Sequence, residues 1–168
     1  MVTTAMPIDS ARRQAGFTLV EIMITVVVAG ILTALAMPSL NGFLLNSRVQ
    51  QAATDMFMTM NYARSEAINR NTQVSVTASG TWDAGWQVVA GGTVLKQTTL
   101  VSGATVTGPV GNSLTFNPNG RLSNQTAVNF TFSLPGNTQV TTRCVASALI
   151  GQPVLQSDAN HDGSCING

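Results

Sequence analysis

From Phe17 to Met37 the chain carries a single ionisable residue, Glu21, in an otherwise apolar run. The run opens Phe17-Thr18-Leu19-Val20-Glu21-Ile22-Met23-Ile24. It continues through Val26, Val27, Val28, Ile31, Leu32, Leu35 and Met37 toward Leu45. A helix spans a bilayer with ~20 apolar residues, and this run is long enough. A carboxylate inside such a segment costs on the order of 2.5 to 3.5 kcal/mol on insertion scales. Glu21 therefore calls for a partner, and with no second charge in the segment the partner is expected outside it.

The flanks orient the run. Met1 to Gly16 is polar and places Arg12 and Arg13 just before it. Positive charge stays on the cytoplasmic side, so the C-terminal bulk is expected outside. No clear Ala-x-Ala cleavage site follows the apolar stretch, unlike an ordinary secretory signal. On the residues alone, a plain signal anchor with an uncut N-terminus stays open, as does a Glu21 that snorkels to the inner surface.

From Asn46 the pattern becomes amphipathic. Val49, Ala52, Ala53, Met56, Met60, Ala63 and Ala67 recur at three- and four-residue steps, a helical stripe. Arg48, Gln51, Asp55, Thr59, Arg64, Glu66 and Arg70 fall largely on other faces. The pattern predicts one helix from Phe17 to about Asn69, roughly 80 Å at ~1.5 Å per residue. Pro38, which removes a backbone bond, and Gly42 mark its weak point. Met56, Phe57, Met58 and Met60 read as packing residues, not a cofactor box.

After Asn71 the pattern predicts strands over 73–78, 86–90, 94–99, 104–107, 113–117, 127–134 and 139–148. Ser79-Gly80, Asp83-Ala84-Gly85, Gly91-Gly92, Pro118-Asn119-Gly120 and Pro135-Gly136-Asn137 divide them as turns. A helix followed by a run of strands predicts an α+β fold, with the helix laid on antiparallel strands in two small sheets. Cys144 and Cys165 read as one disulfide if the domain lies in an oxidising compartment. A metal site built on this pair lacks further ligands, since the chain's only histidine is His161.

Gly16-Phe17-Thr18-Leu19-Val20-Glu21 resembles the class III signal of type IV pilins and type II secretion pseudopilins. The resemblance implies that a prepilin peptidase cuts between Gly16 and Phe17 and that Phe17 is then N-methylated. It implies that Glu21 pairs with the N-terminal amine of a neighbouring subunit during assembly. A proline at the depth of Pro38 is also shared, whereas the leader is longer than in many type IVa pilins. Tyr62-Ala63-Arg64-Ser65-Glu66-Ala67-Ile68, Gly85-Trp86 and Leu114-Thr115-Phe116-Asn117-Pro118-Asn119-Gly120 are similar to the GspH/FimT branch of minor pilins and pseudopilins. Beyond Gly120 the likeness rests on the cysteine pair, which in pilins often staples the C-terminal segment.

The organisation that follows is a leader at 1–16, a membrane and filament-core helix at 17–45, an amphipathic half at 46–71 and a β domain at 72–168. The implied role is structural: a minor pilin acting in filament initiation or at the tip, or else a minor pseudopilin of type II secretion. Implied partners are the prepilin peptidase, other pilins or pseudopilins, and the bacterial inner membrane. The protein would cross that membrane once, with a periplasmic C-terminal domain, before entering a pilus or pseudopilus.

Other chemistries fit the residues poorly. Asp158, Asn160 and Asp162, followed by Gly163, have the spacing of the first half of a calcium loop. Ile166, at the ninth position, offers no side-chain oxygen, so an Asx-rich turn beside Cys165 is the preferred reading. His161 has Ser157 and Ser164 near it, but neighbours on one loop do not make a hydrolytic triad, and no G-x-S-x-G is present. No catalytic residue, cofactor or metal is assigned. Some FimT-like pilins bind DNA through basic residues near the C-terminus. The net charge here is +1, so DNA is admitted as a partner only if Arg121 and Arg143 share a patch.

Overall fold

A computed structural model of the chain describes residues 16–100, 103–123, 126–137, 140–160 and 165, and for 36–40 only the backbone. The chain divides into two compact units, Met1–Pro38 and Ser39–Gly168. Helix α1 is assigned without interruption over Leu19–Arg70. Phe17, expected inside it, lies before its first turn. The end of α1 is set locally. Asn71 adopts φ 50°. Its N–H donates to Ile68 O, and that of Thr72 to Ala67 O, both at 3.2 Å. This is a Schellman ending with asparagine in the left-handed position that glycine usually takes.

In the second unit, the stripe read from the sequence is the buried face of the helix. Val49, Ala53, Met56, Met60, Ala63 and Ala67 have 0–1% exposure. Thr59, the polar member of that face, is fully buried, and its hydroxyl accepts a hydrogen bond from Trp86 Nε1 at 3.2 Å. Without that partner, a buried hydroxyl and a buried indole N–H would both be unsatisfied.

The strands form two four-stranded antiparallel sheets. The first, in the order β3-β2-β1-β5, comprises β1 (Val74–Ser79), β2 (Thr81–Ala90), β3 (Thr93–Thr98) and β5 (Ser113–Phe116). The second, in the order β4-β6-β7-β8, comprises β4 (Thr105–Thr107), β6 (Val128–Ser133), β7 (Arg143–Ser147) and β8 (Pro153–Ser157). The chain visits the first sheet, crosses for β4, returns for β5, and then completes the second.

Two elements differ from the sequence expectation. Asp83-Ala84-Gly85, read as a turn, lies within β2. The turn signal marks a real break: Ala78 pairs with Trp86 but Ser79 with Thr81, so 82–85 bulge out of the ladder. The bulge frees Asp83, whose Oδ1 accepts the N–H of Val106 in β4, joining the two sheets. The second difference is β8, which has no counterpart among the expected strands. Its Val154, Leu155 and Gln156 are exposed, so this edge strand lacks the apolar-polar alternation that reveals a half-buried strand. Of the strand expected over 139–148, position 139 lies outside the described residues, and pairing begins at Arg143.

Aromatic pairs close the core between the sheets. Trp82 meets Phe130 edge-on at 4.8 Å between ring centroids, and Trp86 meets Phe132 at 6.4 Å. Such T-shaped contacts stabilise by about 0.5–1.5 kcal/mol beyond area burial. Where the β7–β8 turn meets the loop after β5, main chain touches main chain. A Cβ on Gly151, at φ +76°, would collide with the Gly120 carbonyl oxygen. Gly151→Ala is therefore expected to destabilise the fold by about 2 kcal/mol. Gly136→Ala, at a similar φ of +79° but with nothing within 4 Å, costs less. Thermal unfolding of the two detergent-solubilised variants checks this, and equal shifts would remove the collision as the cause.

Candidate processing and assembly site

The N-terminal motif forms a capped helix start. Gly16, Phe17 and Thr18 are outside α1. Thr18 Oγ1 accepts the N–H of Glu21 at 3.2 Å, and Thr18 O accepts that of Ile22 at 3.2 Å. Thr18 and Glu21 thus occupy the N-cap and N3 positions, and of the reciprocal T-x-x-E pairing the half supplied by the Thr18 hydroxyl is formed. The T-x-x-E spacing is the sequence signal for this cap, and it coincides with the cleavage motif, which draws on the same two residues.

Every described side chain in this part of the helix is exposed. Phe17 is 79% accessible and Leu35 72%. The polar groups between them are largely silenced: the Thr25 hydroxyl donates to Glu21 O, and that of Thr33 to Ala29 O at 2.7 Å. The carboxylate of Glu21 has no hydrogen-bond or ion-pair partner among the described residues. Among those residues no helix is long and apolar enough to cross a membrane. The leader through position 15 lies outside the described residues, as does the Pro38 side chain. Gly42 is helical, and its carbonyl accepts from Asn46 Nδ2 at 3.2 Å. Asn46 Oδ1 in turn accepts the Thr141 N–H at 2.8 Å, fastening the helix to the segment before β7.

The two inner motifs touch each other. Arg64 Nε donates to Gly120 O at 3.0 Å. Gly120, at φ +70°, lies so close over Ile68 that a Cβ would come within 2.7 Å of Cδ1. Asn117 shapes this loop, its Oδ1 accepting the N–H groups of Asn119 and Arg121 at 3.0 and 3.1 Å. The Tyr62–Ile68 and Leu114–Gly120 signatures therefore form one junction, which joins helix, first sheet and the β7–β8 turn. Glu66 and Arg70 pair on the helix surface, and that contact raises the guanidinium pKa further.

Cys144 and Cys165 form a disulfide with Cα atoms 6.1 Å apart, and both residues are buried. Asp158 is buried and Asn160 exposed, while His161, Asp162 and Gly163 lie outside the described residues. Among described residues no three acids, histidines or cysteines gather as a metal site. Arg121 and Arg143 sit at opposite ends of the β7–β8 hairpin. The backbone of Arg121 abuts Gly151 in the turn, whereas Arg143 pairs with Ser157 at the open end. Roughly 13 Å of strand separates those ends. A 290 Å³ cavity is lined by Asn117, Arg121, Leu122, Ser123 and Leu149, and a 440 Å³ groove by Gln73, Val110, Gly111, Ser113, Thr115 and Ser123. Among the described residues lining them there is no acid, histidine or thiol for proton transfer or nucleophilic attack.

The family model described as type II transport protein GspH matches residues 52–150, and that of the prokaryotic N-terminal methylation motif matches 11–37. No curated protein sequence is similar enough to match. Two crystal structures of the Pseudomonas aeruginosa type IV minor pilin FimU are similar. One is 24% identical, covering 68% of this chain and 92% of that one, at TM-score 0.58. The other is 25% identical, covering 64% and 91%, at 0.55. The minor pseudopilin EpsH of the Vibrio cholerae type 2 secretion system is 16% identical, covering 67% and 98%, at 0.54. Replacing both cysteines by alanine is expected to cost about 3 kcal/mol through the freed loop. Arg64→Met, losing a charge-assisted bond to a main-chain acceptor, is expected to cost about 1.5 kcal/mol. Denaturant midpoints of the full chain in micelles measure both, and an unshifted midpoint would deny the contact its role.

Proposed function

This chain belongs to the family of the type II transport protein GspH, and we propose that it is a minor pilin of a type IV pilus, acting in filament initiation or at the tip. The observation that carries this is the union, in one chain, of a methylation motif over 11–37 with a GspH-type domain over 52–150. Such a protein is a non-enzymatic structural subunit, processed at its N-terminus and assembled with other pilins or pseudopilins. The likeness to FimU, greater in identity than that to EpsH, favours the pilus. The description of the matching family favours the second reading, a minor pseudopilin of type II secretion. Deleting the gene and scoring pilus assembly against protein secretion separates the two.

In this reading the leader ends at Gly16, the bond to Phe17 is cut, and Phe17 is methylated. The apolar helix anchors the precursor once in the inner membrane, with the C-terminal domain periplasmic. It later packs in the filament, with Pro38 and Gly42 as its bending point. The exposed apolar surface of 17–35 supports this, because only lipid or other helices would cover it. Glu21 supports it too. A carboxylate among apolar side chains persists when paired, and cleavage creates an amine four residues before that position in every neighbour.

Gly16→Val is expected to block processing, leaving an unprocessed band and no mature chain that begins at Phe17 on N-terminal sequencing. Glu21→Ala is expected to be processed normally yet drop out of sheared filaments by more than ten-fold on immunoblotting. Wild-type incorporation of that variant would count against the docking role.

A further inference from the structure

The first turn of α1 is closed by a side chain where a carbonyl would otherwise serve. In a helix extended further toward the N-terminus, the Glu21 N–H would reach the Phe17 carbonyl, four residues back. Instead it is held by Thr18 Oγ1 at 3.2 Å, and the first main-chain bond runs from Ile22 to Thr18 O. Gly16 and Phe17 remain outside the helix. Phe17 is 79% accessible, and a Cβ built on Gly16 meets nothing within 4 Å. The Gly16–Phe17 bond is thus non-helical and, among the described residues, unobstructed. A protease aligns extended backbone against its own groups, which a hydrogen-bonded helical turn does not offer.

We propose that Thr18 is a positioning residue for processing: its hydroxyl stops the helix at Leu19 and so keeps the Gly16–Phe17 bond available for hydrolysis. This rests on the reading above that this bond is the scissile one. Hydrolysis adds water across the C–N bond, leaving a carboxylate on Gly16 and an ammonium on Phe17. In apolar surroundings a main-chain N–H does not stay unsatisfied. Without the hydroxyl, the Glu21 N–H recruits the Phe17 carbonyl, and the helix lengthens into the bond to be cut. Thr18 touches no reacting atom, so its effect passes through helix length alone.

The test uses the full chain in proteoliposomes with purified prepilin peptidase, reading initial cleavage rates for wild type, Thr18→Val and Thr18→Ser. Valine keeps the branched shape and removes the hydroxyl, whereas serine keeps the hydroxyl. Thr18→Val is expected to lower kcat/KM about five-fold, the factor a lost N-cap represents. Thr18→Ser is expected within two-fold of wild type, a rescue that side-chain bulk would not produce. Cleavage of Thr18→Val at or above the wild-type rate overturns the proposal, as does a serine variant as slow as valine. A wild-type chain not cut between Gly16 and Phe17 overturns the processing reading and this inference with it.

Discussion

The buried stripe of α1 is the contact on which the domain's architecture depends. Ala53, Met56, Met60, Ala63 and Ala67 have no solvent exposure, and Trp86, Val74, Val76, Val88, Leu114 and Phe116 reach the same core. Small residues at 52, 53, 63 and 67 let strands approach the helix closely, and Met56 and Met60 fill the wider gaps. The register of the first sheet follows. Val74 pairs with Ala90 and Phe116, and Val76 with Val88 and Leu114, so the apolar members of three strands fall on one face together. A slip of one residue would turn that face outward.

The second sheet depends on the first through a small number of specific links. Asp83 receives the Val106 N–H, Trp82 stands edge-on to Phe130, and Leu122 donates to Leu149 O at 3.2 Å. Each link uses a residue outside regular pairing: Trp82 and Asp83 lie in the β2 bulge, and Leu122 forms an isolated bridge with Phe116. Breaks in the ladders carry these three links, while Trp86, regularly paired within the first sheet, reaches Phe132 of the second directly.

The helical stripe was legible because the 3.6-residue period is a property of backbone geometry and survives any tertiary context. The strand over 127–134 was legible in the same way, since Val128, Phe130 and Phe132 alternate with the two-residue period of an extended chain. The cap by Thr18 was equally local, written in the T-x-x-E spacing. β8 was hidden because an edge strand exposed on both faces has no period to detect. Asp83-Ala84-Gly85 misled because turn residues serve equally in bulges, and only the neighbouring strand decides which of the two forms.

Sequence alone determined the apolar run with its one carboxylate, the amphipathic continuation, the two-sheet α+β class and the pilin-type signature at Gly16–Glu21. The first three rest on composition and short-range period, which the chain carries before it folds, and the last on the resemblance of a short motif. Tertiary structure alone decided that Arg64 and Gly120 meet and that Gly151 abuts Gly120. It also decided that Arg121 and Arg143 stand at opposite ends of one hairpin. Those relations join residues 22 to 56 positions apart in sequence. No local pattern encodes such pairs, because their proximity follows from how the sheets close over the helix.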